Sequence, residues 1–140
     1  MKTRLLAATG LFLATAGVNA AEPLALQKIM NDLGRNMQAI TDGISREDWE
    51  LVAKTAPLIA DHPQPPLGEK MRILSFVGSD MGKYKAHDGR THDAALALAK
   101  AARLKDGPAA IATFASLQNA CHDCHQAFRQ PFMEHFYGSR

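Results

Sequence analysis

The sequence predicts an all-α protein, an antiparallel up-down-up-down bundle of four helices. Apolar residues recur at helical spacing in four segments, and no segment alternates in the way that is typical of a strand. Short connections containing Gly or Pro separate the segments, as in a bundle whose neighbouring helices run antiparallel. Hydrophobic residues make up 46% of the chain, which disfavours an intrinsically disordered protein.

The first helical segment has the clearest apolar face. Six residues follow one another at alternating steps of four and three positions, which places them on one stripe of a helix. They are Leu26, Met30, Leu33, Met37, Ile40 and Ile44. We expect this helix to run from about Leu24 to Asp42 and to end at Gly43.

The second helix is expected to begin near Ser45 and Asp48, which resemble a capping arrangement. Pro57 lies inside it and should kink or divide it, because a ring replaces a hydrogen-bond donor. Residues 62–66 contain three prolines and form a stiff connection that ends this element.

The remaining chain predicts one short helix and two long ones. Residues 67–78 suit the short helix, and a third long helix is expected from about Ser79 to Leu104. Pro108 fits the first turn of the fourth helix. We expect that helix to end at about Gln130, because a proline follows.

The first twenty residues have the pattern of an export signal. Lys2 and Arg4 form a short positive segment, the next fourteen residues are uncharged and mostly apolar, and small residues precede Ala20. About 14 residues are fewer than the roughly 20 of a spanning helix, which favours a cleaved signal over the alternative, an uncleaved anchor. The predicted division is a signal peptide over 1–20, cleaved after Ala20, and one domain over 21–140.

The charge of the chain disfavours a basic nucleic-acid-binding module. The 16 Lys and Arg residues stand against 14 Asp and Glu residues, and removal of Lys2 and Arg4 leaves 14 of each sign. We therefore expect no nucleic-acid partner and no strong steering of a partner by net charge.

The chemistry of the sequence is concentrated in one C-x-x-C-H motif, formed by Cys121, Cys124 and His125. This motif is the attachment signal for c-type haem. Positions i and i+3 share a face of a helix, so both thiols can reach the two vinyl groups on one porphyrin edge. His125 can then bind the iron as proximal ligand. We expect one covalent haem c near the C-terminal end of the last helix.

Two other kinds of site use a pair of cysteines. A thioredoxin-like dithiol belongs near a βαβ unit, which the helical pattern does not contain. A zinc site would require His122 and His125 to recruit a further ligand from elsewhere in the chain. We favour the haem site and interpret His122 as a solvated spacer.

Met30 is the candidate for the sixth iron ligand. His125 lies about six residues before the expected end of the fourth helix, and Met30 about six residues into the first helix, which starts at the same end of the bundle. Met37 lies about 10 Å further along the axis. A thioether ligand raises the reduction potential of haem, whereas most methionines on such a stripe only fill the core. Four histidines are alternative ligands: His62, His87, His92 and His135.

The C-terminal motif followed by Phe128-Arg129 resembles the cytochrome c′ family, the class II c-type cytochromes. The resemblance covers most of residues 21–140. Residues 29–37 also look like the first helix of the low-spin, Met-ligated members, and of the four-helix cytochrome b with Met/His-bound haem. In both, the methionine that matches Met30 is the sixth ligand.

The sequence departs from this family at the haem propionates. Many members carry an Arg just before the distal position, and here only Lys28 could substitute for it. Arg129, four residues after His125, could contact the haem edge or the propionates, and a surface role is as compatible with its position. The tail 132–140 runs past the usual end of the family, where it could cover a haem edge or pack against the bundle.

These observations lead to three hypotheses. The first is a periplasmic one-electron carrier with redox partner proteins, no membrane anchor after cleavage and no enzyme activity, since no acid–base residues are identifiable beside the iron. The second is a pentacoordinate haem protein that binds NO or CO in an apolar pocket of Leu26, Met30 and Leu33. The third is a thiol–disulfide oxidoreductase without haem. A face of the bundle can also support a homodimer.

Overall fold

A computed structural model describes residues 23–138, and every regular element in this part of the chain is helical. Four helices form the bundle: α1 (Ala25–Ser45), α2 (Trp49–Ala60), α4 (Met81–Arg103) and α5 (Gly107–Tyr137). A shorter helix, α3 (Leu67–Val77), and a 3₁₀ turn (Gly78–Asp80) connect α2 to α4. The predicted four-helix bundle is confirmed. The predicted signal peptide lies outside the described residues.

The core lies in one half of the bundle, where α2 packs against both α1 and α4, and α4 packs against α5. Its largest fully buried side chains are Ile40, Val52, Ile59, Leu98 and Leu117. Alanines of α2, α4 and α5 fill the space between them, and such small side chains allow neighbouring helices to approach closely. In the other half of the bundle, α1 and α5 contact each other only sparsely.

The end of α1 differs from the prediction. Gly43 does not stop the helix but lies inside it, and it is buried against the start of α2. A Cβ atom on Gly43 would lie 2.8 Å from Cγ2 of Val52 and 3.3 Å from the carbonyl oxygen of Asp48. The chain leaves the helix after Ser45, and Glu47 then adopts a positive φ of 56°. Close packing between helices therefore accounts for this glycine.

The start of α2 is capped by Asp48 alone. The Asp48 carboxylate accepts a hydrogen bond from the backbone N–H of Leu51 at 3.0 Å. The Ser45 hydroxyl instead donates to the carbonyl oxygen of Thr41 within α1. Pro57 does not divide the helix, because it lies in the last turn, where few backbone hydrogen bonds remain to be lost.

The last helix is longer than predicted. The expected end at Gln130 is wrong, because α5 continues through Pro131 for about two further turns. Aromatic packing against α3 holds these turns: the ring of Phe76 lies 5.7 Å from that of Phe132 and 5.6 Å from that of Phe136, measured between centroids. This tertiary packing offsets the hydrogen bond that the proline removes.

The other boundaries agree with the sequence. Both α3 and α4 lie within two residues of their expected limits. At the start of α5, Asp106 accepts a hydrogen bond from the backbone N–H of Ala109, and Pro108 lies in the first turn. Of the helices between residues 23 and 138, none combines the length and the apolar character needed to cross a membrane.

Replacing Gly43 by Ala is expected to lower the free energy of unfolding by about 1–3 kcal/mol, because the new methyl group would overlap Val52. Gly89→Ala in α4 is the matched control. It adds a methyl group with no atom within 4 Å, so the better helix propensity of Ala should stabilise the protein by up to about 1 kcal/mol. Thermal unfolding measures both changes, and stabilisation by both would contradict the close approach of α1 and α2.

Candidate functional site

Two adjoining cavities lie in the half of the bundle that the core does not fill. Each has a volume of about 240 Å³. Neither alone reaches the roughly 300–1,000 Å³ of a usual ligand pocket, but together they do. Residues from α1, α4 and α5 line both cavities: Leu26, Met30, Tyr84, Cys124 and His125.

The C-x-x-C-H motif faces these cavities from α5. Cys121 and Cys124 lie one helical turn apart, both are free thiols of intermediate burial, and both line the first cavity. His125 follows directly and lines both cavities. His122 is exposed and lines neither cavity, as expected of a spacer. One wall of the site thus presents two thiols and an imidazole.

The protonation of the thiols bears on the dithiol alternative. Burial raises the pKa of the Cys121 thiol. Burial also raises the pKa of Cys124, with a smaller contribution from the negative charge of Asp88. Redox-active C-x-x-C cysteines have a lowered pKa, so these surroundings disfavour a thiol–disulfide oxidoreductase. For the zinc alternative, residues 23–138 contain no group of three or more His, Cys, Asp or Glu side chains placed to hold a metal ion.

Met30 and Met37 share the apolar stripe of α1 but have different surroundings. Met37 is partly buried, packs against the core and lines only the first cavity. Met30 is 39% exposed and lines both cavities. Met30 is therefore not a core-filling residue in this structure, and its thioether lies on the same cavities as His125.

The predicted alignment of Met30 with His125 rested on an α5 that ends at Gln130, and that premise is wrong. The start of α1 instead lies beside the last turn of α5, where the Tyr137 hydroxyl accepts a hydrogen bond from the backbone N–H of Leu24 at 3.0 Å. Met30 and His125 nevertheless line the same two cavities. The evidence that Met30 and His125 face the same space is therefore the shared cavities, and not equal distances of the two residues from the helix ends.

Several lining residues were not identified from the sequence. Tyr84, Asp88 and Thr91 line the first cavity from α4, and Lys70 lines it from α3. Steps of four and three place the α4 residues on one helix face. That spacing was visible in the sequence, but polar residues at helical spacing are also typical of a solvent-exposed face.

Comparison with known families agrees with this geometry. A family model described as Cytochrome C' matches residues 25–129. The chain belongs to the cytochrome c′ family. No protein in a search of curated proteins matches it significantly. Members of the family bind haem c covalently, typically one per chain.

The residues of this cytochrome fit a covalent haem. The thiols of Cys121 and Cys124 lie on one wall of a space of suitable size, and the imidazole of His125 is adjacent. Apolar side chains line much of the first cavity from α1 and α3, among them Leu33, Ile73 and Leu74. A porphyrin needs such a lining over most of its area, because its faces are apolar.

The two residues predicted near the propionates occupy different places in the cytochrome. Arg129 is exposed and lines the second cavity. Lys28 lines neither cavity, and its ammonium donates to the Asp32 carboxylate at 2.9 Å. Lys70, which the sequence did not suggest, lines the first cavity as a further cation.

The tail of the cytochrome contributes to the second cavity. Phe132, Met133 and Tyr137 line it from the last turns of α5, while Phe132 also contacts Phe76 of α3. The tail therefore both packs against the bundle and covers one side of the site, the two roles that the sequence left open.

The four alternative histidines differ in their surroundings. His62 lines the first cavity, with Nδ1 3.0 Å from the carbonyl oxygen of Pro63 and Nε2 3.4 Å from the Asp88 carboxylate. His92 lies 3.2 Å from the Asp93 carboxylate, and His135 stacks on Phe76; neither histidine lines either of the two cavities. Of these three, only His62 approaches the site, and both its ring nitrogens have acceptors nearby.

The fourth, His87, is buried behind the cavity wall. It is 6% exposed, and its ring contacts that of Phe128, which lines the second cavity. Arg90 donates a hydrogen bond to its Nδ1 at 2.6 Å. Burial, followed by the positive charges of Arg90 and Lys83, lowers the pKa of His87, whereas Asp123 opposes that shift. His87 is therefore neutral in the folded protein near neutral pH.

This lowered pKa predicts a pH-dependent stability. Below the ordinary imidazole pKa of about 6.5, the unfolded chain binds a proton at His87 more readily than the folded protein does. The stabilising contribution is fully present above that pH and is lost as the pH falls towards the folded-state pKa. His87→Gln should therefore reduce the drop in melting temperature between about pH 7 and pH 5. The control is His92→Gln, and an equal drop in wild type and His87→Gln would contradict the assignment.

Proposed function

We propose that this protein is a periplasmic one-electron carrier with a single low-spin haem c, held by Cys121 and Cys124 and ligated by His125 and Met30. The observation that carries the proposal is the exposure of Met30 towards the cavities that His125 also lines. When bound, haem c supplies a one-electron Fe(III)/Fe(II) couple. The protein acts as a carrier without enzymatic turnover.

The chain places the two proposed iron ligands on different helices, His125 on α5 and Met30 on α1. Partial burial lowers the pKa of His125, and the nearby Arg129 and His122 lower it further. The imidazole is thus neutral near neutral pH, which is the form that binds a metal. With one ligand from each helix, the coordination would change little between the two oxidation states, which would favour electron transfer over substrate chemistry.

Side chains of the cavity wall adjust the reduction potential and the orientation of the cofactor. With haem bound, the Met30 thioether would raise the reduction potential, and the apolar lining would limit the access of water to the site. Lys70 and Arg129 line the first and second cavities and are suited to pairing with propionates. Lys28 could pair with a propionate only after breaking its hydrogen bond to the Asp32 carboxylate.

A haem electron carrier must be located where haem is attached and must meet redox partner proteins. Residues 1–20 act as a cleaved signal peptide, which delivers the chain to the compartment where c-type haem is attached. The partners are redox proteins of an electron-transport chain. Since the charges after residue 20 balance, local charges around the two cavities orient these partners, with little contribution from net charge.

Met30→Leu is expected to convert the ferric protein from low spin to high spin, because leucine keeps the volume of the side chain and lacks the thioether. Met37→Leu makes the same chemical change two turns further along α1, at a residue packed against the core, and should stay low spin. Absorption spectra of the ferric and ferrous holoproteins measure the spin state. An unchanged Met30→Leu spectrum would remove Met30 as the ligand.

The alternative is a pentacoordinate cytochrome that binds NO or CO. The observation that favours it is that Leu26, Met30 and Leu33 all line the first cavity, as an apolar distal pocket would require. It predicts a high-spin wild type and rapid CO binding to the reduced protein. The proposed carrier predicts slow CO binding in the wild type, because Met30 must first dissociate.

Cleavage after Ala20 predicts that the mature protein recovered from the periplasm begins at Ala21. N-terminal sequencing or the intact mass measures this directly. The control is the same chain with Lys2 and Arg4 replaced by Glu, which should remain unprocessed and lack covalent haem. A wild-type protein that keeps Met1 and its apolar segment would contradict the export proposal.

A further inference from the structure

The first turn of α1, which precedes Met30, has no cap of its own. Its N-cap residue is Leu24, whose side chain cannot accept a hydrogen bond, and the turn contains no acidic residue. The first backbone N–H groups of a helix have no partner within the helix. By contrast, α2 and α5 begin with local Asp caps, Asp48 and Asp106.

Two side chains from distant parts of the chain bind these groups instead. The Glu69 carboxylate of α3 accepts hydrogen bonds from the backbone N–H of Ala25 at 2.7 Å and of Leu26 at 2.8 Å. The Tyr137 hydroxyl of α5 accepts one from Leu24 at 3.0 Å. A carboxylate at a helix N-terminus forms charge-assisted hydrogen bonds and interacts favourably with the helix dipole.

Apart from the buried side chains of Leu24 and Ile29, few contacts fix the position of this part of α1. Helix α2 has 12 residues and α1 has 21, so the first nine or so residues of α1 extend beyond α2. The contacts of α1 with the core begin at Leu33. Contacts with α5 are sparse, because the cavities lie between the two helices. Met30 lies one turn after Leu26, within this extension.

We propose that Glu69 is a positioning residue that holds the Met30-bearing turn of α1 at the distance from α5 that iron ligation requires. The inference rests on the proposed function, since it assumes that Met30 binds the iron. Glu69 lines neither cavity, and acts through the backbone of residues 25 and 26. Without its carboxylate, the turn moves or frays and the thioether leaves the iron more often.

The test compares Glu69→Ala, Glu69→Gln and Asp48→Ala as holoproteins. Asp48→Ala removes a helix cap of α2, which lines neither cavity, and controls for general destabilisation. Glu69→Ala should raise the rate of CO binding to the reduced protein by about tenfold, through a larger Met-dissociated fraction. Glu69→Gln keeps one acceptor oxygen and should give an intermediate rate.

The ferric spectrum and the melting temperature complete the measurement. Glu69→Ala should weaken the Met–Fe(III) charge-transfer absorption, whereas Asp48→Ala should lower the melting temperature and leave this absorption and the CO rate unchanged. Equal CO rates in Glu69→Ala and Asp48→Ala would overturn the positioning role. So would Glu69 variants that keep the wild-type rate.

These outcomes separate the two proposals. If the wild type is low spin and depends on Met30, but the Glu69 variants bind CO at the wild-type rate, only the positioning role fails. If the wild type is high spin, or if Met30→Leu remains low spin, the proposed ligation fails and the role of Glu69 fails with it. Should Glu69→Ala not fold, the comparison of Glu69→Gln with wild type decides.

Discussion

The short length of α2 divides this bundle into two halves. With 12 residues, α2 reaches along only part of α1, and there it closes a core of aliphatic and alanine side chains against α4. Beyond Ala60 the place of a fourth long helix is taken by the connection 61–66 and by α3. The two cavities lie in this second half, bounded by α1, α4 and α5. The hydrophobic core and the cofactor site thus lie largely in different halves of the bundle.

The two walls of the site are held in different ways. On α5, both thiols and His125 lie within five successive residues of one continuous helix, so local helical geometry fixes their relative positions. On α1, Met30 lies where the helix extends beyond its packing partner, and contacts from α3 and the end of α5 secure the turn before it. The α5 wall is thus preorganised by the sequence of one helix, whereas the position of the α1 wall depends on tertiary contacts.

The same distinction explains what the sequence could predict. The C-x-x-C-H motif, the number of helices and the limits of α3 and α4 depend on local patterns, and each is evident from the sequence. Gly43 and Pro131 were misinterpreted because a Gly or a Pro at such a position usually ends a helix. Here tertiary packing overrides that tendency. Val52 approaches Gly43 closely, and Phe76 holds the turns after Pro131.

The surroundings of the site were less predictable for the same reason. No local pattern connects Glu69 with the start of α1, which lies more than forty positions earlier, and none indicates that Lys28 is bound to Asp32 and away from the cavities. Met30 could be singled out by its place on the apolar stripe and by family resemblance. The helix lengths used to align it with His125 were not accurate, and its exposure to the cavities emerges only from the fold.

The central claim is that a thioether from α1 and an imidazole from α5 bind one iron between them. X-ray absorption at the iron edge of the wild-type holoprotein tests it most directly, because sulfur and nitrogen ligands scatter differently. The account predicts one sulfur bound directly to iron in both oxidation states, and its loss in Met30→Leu. Iron with only nitrogen or oxygen ligands in the wild type would contradict it.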